Sequence, residues 1–95
     1  MIGGTIPTNW NLLKNIEFIN LSNNRLTGTV PIFKNALKLI GLDFSDNLLS
    51  GPFPMGYFTT SSFFSLEFVN VNFNPSLKMP EKCIRYAYCM KSNNF

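Results

Sequence analysis

The stretch INLSNNRLTGTVP, Ile19 to Pro31, comes back 23 residues later as LDFSDNLLSGPFP, Leu42 to Pro54. This repetition constrains the fold more than any other feature of the chain. At that offset Ile16 falls on Leu39, Ile19 on Leu42, Leu21 on Phe44 and Asn24 on Asn47. Further along, Leu26 falls on Leu49, Thr27 on Ser50, Gly28 on Gly51, Val30 on Phe53 and Pro31 on Pro54. A partial copy, GGTIP, places Gly4, Ile6 and Pro7 24 residues before Gly28, Val30 and Pro31. A later copy, LEFVNVNFN, places Leu66, Val69, Val71 and Asn74 27 residues after Leu39, Leu42, Phe44 and Asn47.

A unit of twenty-odd residues cannot bury its own apolar side, but stacked on its like it shares a continuous core. Within IEFINLS, alternation turns Ile16, Ile19 and Leu21 inward and Glu17, Phe18, Asn20 and Ser22 elsewhere. Stacked in parallel at ~4.8 Å, the rungs are expected to form three core columns. These are Ile16–Leu39–Leu66, Ile19–Leu42–Val69 and Leu21–Phe44–Val71. Asn24, Asn47 and Asn74 fall where the chain turns inward. A buried amide is costly unless paired, so each is expected to hydrogen-bond turn backbone and to serve structure, not catalysis. Gly28 and Gly51 suit turn conformations that other residues resist. Pro31 and Pro54 lack an N–H and are expected to keep the second strand of each rung short. Phe33, Phe53 and Phe58 are expected to pack the far side of the coil. Four extra residues between the second and third rungs, within MGYFTTSSFF, predict a longer loop with a helical turn, its Phe63 and Phe64 facing the core.

The pattern L-x-x-L-x-L-x-x-N, carried by Ile16–Asn24, Leu39–Asn47 and Leu66–Asn74, resembles the leucine-rich repeat. The continuations LTGTVP and LSGPFP resemble its plant-specific subclass, L-[ST]-G-x-[IV]-P. The resemblance runs from Gly3 to about Cys83. It implies an α/β solenoid: a short right-handed coil with a parallel β-sheet on the concave face and irregular or 3-10 turns on the convex face. Residues 1–74 would be repeats and 75–95 a C-terminal cap and tail. NPSLKMPEKC resembles the end cap of plant ectodomains, with Asn74, Pro75, Leu77, Pro80 and Cys83 matching but Lys78 where the family has its first Cys. Cys89 is then the candidate disulfide partner of Cys83, a short loop whose bridge would add ~2 kcal/mol. The alternatives are two free thiols or a metal site, the latter disfavoured by only two Cys and no His.

Catalytic chemistry is not visible. With no His, Ser-His-Asp and Cys-His arrangements are excluded; there is no phosphate-binding loop and no clustered metal ligand set. Asp43 and Asp46 lie on an open strand surface where no cleft is implied. The chain is therefore expected not to be an enzyme and to need no cofactor. A net charge of +3 without a polybasic run gives no case for nucleic acid. Hydrophobic content of 45% against 14% charged argues against disorder. The longest uncharged run, Asn47 to Leu66, carries Pro, Gly, Ser and Thr and is rejected as a membrane span. The opening MIGGTIPTNW has neither a charged segment nor a long apolar run, so it is not read as a signal peptide, and Ile2 excludes N-myristoylation.

In the family the variable strand positions line the concave face and carry recognition. Transferred by position, the candidates are Glu17, Phe18, Asn20, Ser22 and Asn23 in the first rung, and Ile40, Gly41, Asp43, Ser45 and Asp46 in the second. The third rung offers Glu67, Phe68, Asn70, Asn72 and Phe73. All the acids except Glu81 fall on this face, while Lys34, Lys38, Lys78, Lys82, Arg85 and Lys91 fall in loops or the tail. The expected partner is a protein or peptide presenting basic or amide-rich groups; the plain alternative is a merely solvated polar face. Each strand exposes about five residues over ~17 Å and three strands span ~15 Å, a few hundred Å² against ~800 Å² per partner in a standard interface. Such a face binds weakly, or as part of a longer array. Asn20-Leu21-Ser22 is an N-glycosylation sequon on this face.

The resemblance therefore implies an interaction module of an extracellular or cell-surface receptor-like protein, binding protein or peptide ligands. One alternative is a soluble inhibitor of cell-wall-degrading enzymes, which shares the subclass. Another is a truncated gene fragment without activity of its own. The chain begins within a repeat, at the turn motif, which favours reading it as the last part of a longer product. Oligomeric state and ligand identity stay open.

Overall fold

The computed structural model describes residues 2–59, 63 and 65–79. Each rung holds two short parallel strands with an asparagine turn between them. The first strands, β2 (Phe18–Asn20), β4 (Gly41–Asp43) and β6 (Phe68–Asn70), form a three-stranded sheet in the order β2-β4-β6. The second strands, β1 (Gly3–Thr5), β3 (Arg25–Gly28), β5 (Leu48–Pro52) and β7 (Ser76–Lys78), form a four-stranded sheet in the order β1-β3-β5-β7. Every pairing is parallel, as a coil that always returns in the same direction requires. The solenoid expected from the repeat is the fold observed.

The return half of each rung is built from i to i+3 backbone turns. The Leu13, Ala36 and Leu66 N–H groups donate to the carbonyls of Trp10, Phe33 and Phe63 at 2.9, 2.9 and 3.0 Å. One of these turns lengthens into a 3-10 helix over Asn9–Leu12. The insertion between the second and third rungs opens with the single-turn helix α1 (Gly56–Thr59), the helical turn expected there. The second strands end before Pro7, Pro31 and Pro54.

The two sheets differ in register. In the first, Phe18 pairs Gly41 and Gly41 pairs Phe68, the spacings of the sequence repeat. In the second, Thr27 pairs Leu48 and Gly4 pairs Leu26, two residues short of their sequence counterparts Ser50 and Gly28. Gly4, Gly28 and Gly51 all take positive φ, at 86°, 82° and 74°, a conformation that glycine adopts without steric cost. A Cβ on Gly28 would stand 3.2 Å from the Thr5 methyl carbon.

Between the sheets lies one continuous core. Leu39, Leu42, Phe44 and Leu49 of the middle rung are wholly buried, and Ile19, Val69, Val71 and Leu66 are nearly so. Ile16 and Leu21, at the start of their columns, are half-buried and pack against this core. The far side is aromatic. Trp10 stacks on Phe33 at 6.2 Å, and Tyr57 stands 5.6 Å from Phe53 and 4.8 Å from Phe63. Phe33, Phe53 and Phe63 are buried, as expected. Phe64, the Phe58 side chain, Pro80 and the two cysteines lie outside the described residues.

Tyr57 belongs to the insertion and ties it to the preceding rung. Its hydroxyl donates to the Pro31 carbonyl at 2.7 Å and accepts the Phe33 N–H at 2.9 Å. Burial pushes its pKa well above the ordinary 10.0, against a smaller lowering by the Phe33 N–H.

The asparagines bond turn backbone as the repeat predicts, and each also reaches backward, so that together they form a ladder. Asn47 accepts the Leu26 N–H at 3.0 Å, donates to the Leu21 carbonyl at 2.9 Å, and donates within its own turn to Phe44 and Ser45. Asn74 accepts the Leu49 N–H at 3.0 Å and donates to Phe44 at 2.9 Å and Val71 at 3.1 Å. Asn24 accepts the Ile2 N–H at 2.8 Å and donates to Leu21 and Ser22. These amides close their own turns and also clamp one rung to the next.

Candidate ligand-recognition face

The three-stranded sheet sets the candidate residues in rows. In β2 and β6 the central residue is buried and its neighbours look outward, the alternation of a half-buried strand. Register then aligns Phe18, Gly41 and Phe68 in one row and Asn20, Asp43 and Asn70 in the next. Rows of this kind on a packed sheet give fixed spacing between side chains of different rungs.

The second row is partly committed to structure. Asn20 Oδ1 accepts the Ser22 N–H at 3.0 Å and its hydroxyl at 2.7 Å. Asp43 Oδ1 accepts the same two groups of Ser45 at the same two distances. Asn70 Oδ1 accepts the Asn72 N–H at 3.0 Å. Each is a side chain closing the turn two residues on, so Asn20, Asp43 and Asn70 hold their loops with one oxygen, and the rest of each amide or carboxylate has no partner among the described residues. Asn23 and Asp46 occupy the left-handed position before the ladder asparagine, with φ of 58° and 56°, a place they share with Phe73 at 62°. Asn and Asp tolerate that region; Phe73 holds it against its size and is 78% exposed. Glu17 and Glu67 are exposed and immediately precede β2 and β6. The Glu17 carbonyl accepts the Ile40 and Gly41 N–H groups at 2.7 and 3.1 Å.

The first row makes a shallow cleft of about 360 Å³ lined by Phe18, Ile19, Asn20, Gly41, Asp43 and Phe68. Phe18 is 64% and Phe68 39% exposed. A Cβ on Gly41 would lie 3.0 Å from Phe18 Cδ1 and 3.4 Å from Phe68 Cδ1, so both rings lean over the glycine and bury it. The sequence signal for this was a glycine inside a strand, which marks a place where something approaches the backbone closely. Asp43 stands one row on, about 7 Å along the strand. The structure thus brings Phe18, Asn20, Asp43, Phe68 and Asn70 together, with Ser22, Ser45 and Asn72 behind them in the turns. Glu17, Glu67, Asn23 and Asp46 lie at the two margins.

Among the described residues no group of three or more His, Cys, Asp or Glu side chains is placed to hold a metal ion, and no helix is long and apolar enough to cross a membrane. Cys83, Cys89 and Glu81 lie outside the described residues.

Comparison with known proteins bears on the fold. Residues 15–35 match the Leucine Rich Repeat family. A receptor protein-tyrosine kinase of Arabidopsis thaliana, CEPR1, is 37% identical over 75 residues, 79% of this chain. The crystal structure of the leucine-rich-repeat ectodomain of the receptor kinase SOBIR1, also from Arabidopsis thaliana, superposes on 82% of the chain with a TM-score of 0.69 and 33% identity. The chain spans 7% of the length of the first and 41% of the second.

Proposed function

We infer that this chain, a plant-type leucine-rich-repeat solenoid similar to the ectodomains of receptor kinases, is a ligand-recognition module that binds a protein or peptide outside the cell. The observation that carries this reading is the row structure of the three-stranded sheet. Phe18 and Phe68, flanking the covered Gly41, and then Asn20, Asp43 and Asn70, stand in fixed register on strands whose central residues are packed in the core. A surface of that kind is pre-organised, and pre-organisation lowers the cost of binding.

Charge selects the partner. The acids Glu17, Asp43, Asp46 and Glu67 lie on or beside this sheet, in a chain whose net charge is +3. The partner is a segment carrying basic or amide-rich side chains, steered toward a locally acidic face. The ligand-contacting set is Glu17, Phe18, Asn20, Ser22, Asn23, Asp43, Ser45, Asp46, Glu67, Phe68, Asn70 and Asn72. Three strands at ~4.8 Å spacing span only ~15 Å, which keeps the contact well below a standard interface, so affinity for a single short segment is modest. Asn20, exposed and engaged through Oδ1 alone among the described residues, is the proposed glycan acceptor; a glycan there would stand at the edge of the Phe18–Phe68 cleft and compete with ligand.

The test is selection of peptides from a random library on the full chain, followed by reversal of charge in Asp43→Lys with Glu67→Lys. Enrichment of Lys, Arg, Asn or Gln, and loss of most binding in the double variant, is the expected result. Peptides that bind the double variant as well as the parent would remove the recognition role from this face.

A further inference from the structure

The neighbouring rungs show what Asp43 is not needed for. Asn20, Asp43 and Asn70 stand side by side and close equivalent turns, each with Oδ1. In the first and third rungs a neutral asparagine does this work. The carboxylate of the middle rung therefore brings a charge that the turn does not require. Its second oxygen, Oδ2, has no hydrogen-bond or ion-pair partner among the described residues. The residue is half-buried, and a partly desolvated, unneutralised carboxylate favours a cation beside it.

The cleft that Asp43 helps to line has the shape and chemistry for the rest of a basic side chain. Phe18 and Phe68 present ring surface on either side of Gly41, and Asp43 lies at one end. Lysine and arginine bury an aliphatic stem on apolar surface while keeping the charged head on a polar partner, and aromatic rings also attract the cation itself. The run from the Phe row to the Asp row, about 7 Å, is close to the reach of a lysine or arginine side chain lying along β4.

We propose that the cleft between Phe18 and Phe68 over Gly41 receives one lysine or arginine side chain of a bound peptide, its stem against the two rings and its cation on Asp43 Oδ2. This rests on the reading of the sheet as a recognition face and names the side chain it selects. The apolar cleft sets the position, and the carboxylate sets the charge. Glu17, Asp46 and Glu67 add attraction at long range without choosing a position.

The experiment is an amide-resolved NMR titration of the full chain with N-acetyl-arginine methylamide, N-acetyl-lysine methylamide and the uncharged isostere N-acetyl-norleucine methylamide. The two cations are expected to move the Gly41 and Asp43 amides and the Phe18 and Phe68 ring signals, saturating at millimolar concentration. Norleucine is expected to bind about tenfold more weakly. Asp43→Asn copies the residue of both adjacent rungs and so keeps the turn; it is expected to weaken the cations about tenfold and leave norleucine unchanged. Phe18→Ala, at an exposed position, is expected to weaken all three probes. Equal binding of norleucine and the cations would overturn the proposal by showing an apolar cleft alone. Cation shifts centred on Glu17, Asp46 and Glu67 and insensitive to Asp43→Asn would overturn it too, while leaving the acidic recognition face standing. That face is decided separately, by the peptide selection and charge reversal, so the two failures are distinguishable.

Discussion

Single residues carry two stability predictions of opposite sign. Tyr57→Phe keeps the ring contacts with Phe53 and Phe63 but strands the Phe33 N–H and the Pro31 carbonyl, both bonded to the hydroxyl. Leaving buried polar groups unpaired costs about 1–3 kcal/mol, read as a lower urea midpoint at unchanged slope. The same hydroxyl predicts a pH effect. Its folded pKa lies above the ordinary 10.0, so its stabilising contribution is complete below pH 10 and is lost as pH rises further. The stability difference between the parent and Tyr57→Phe should shrink above pH 10; a constant difference would mean that the hydroxyl is not held neutral by the fold. Phe73 predicts the reverse sign. It sits at φ 62° where its counterparts are Asn23 and Asp46, and for L-residues with large side chains the left-handed region costs about 1–2 kcal/mol. Phe73→Asn should therefore stabilise the chain by about 0.5–1 kcal/mol, raising its melting temperature by several degrees. No gain would show that Phe73 recovers its strain through contacts made elsewhere.

At the scale of the element, the ladder separates what the sequence makes legible from what it does not. Period and polarity placed Asn24, Asn47 and Asn74 at inward turns, and the structure finds them there. Their backward reach to the preceding rung was not legible, because a side chain closing its own turn and one bridging two turns leave the same residue in the sequence. That reach grades the cost of removal. Asn47→Ala strands the Leu26 N–H and withdraws a donor from the Leu21 and Phe44 carbonyls, all close to the core, and should cost about 3 kcal/mol. Asn24→Ala loses a bond to the exposed Ile2 N–H, which water can replace, and should cost about 1 kcal/mol. Equal costs in denaturant titration would mean that the bonds between rungs add nothing to those within the turn. The second sheet was half legible for a similar reason. Glycine and proline marked its ends, but the two-residue slip along β1-β3-β5 depends on turn geometry that the spacing of 23 does not encode. The cleft was least legible. Phe18, Gly41 and Phe68 were each placed on the outward face, but two rings leaning over one glycine is a three-rung arrangement that no single repeat contains.

For the molecule as a whole, burial is graded along the stack, and stability should follow it. The middle rung is enclosed, with Leu39, Leu42, Phe44 and Leu49 wholly buried, while Ile16 and Leu21 of the first rung are half-buried. Two amides report the difference directly. The Leu21 N–H donates to Asp43 at 2.8 Å and the Phe44 N–H donates to Asn70 at 2.9 Å. They are equivalent bonds at equivalent positions in adjacent rungs. If the chain opened only all at once, both would exchange with solvent at the same free energy. In a stacked coil each rung is stabilised mainly by its neighbours, so the rung buried on one side opens first. The Phe44 amide should therefore outlast the Leu21 amide by tenfold or more in native-state hydrogen exchange; equal protection would establish a single cooperative unit. The gradient also bears on recognition, because Phe18 sits on the less stable rung and Asp43 and Phe68 on the two beyond it. A basic side chain held across all three would bind the assembled rungs and not the opened one. Ligand should then slow exchange at both amides by the same factor, one plus the ratio of free ligand to Kd, because either opening takes the site apart. Protection that rose at Phe44 alone would mean that the first rung opens with ligand still bound, and would remove Phe18 from the site.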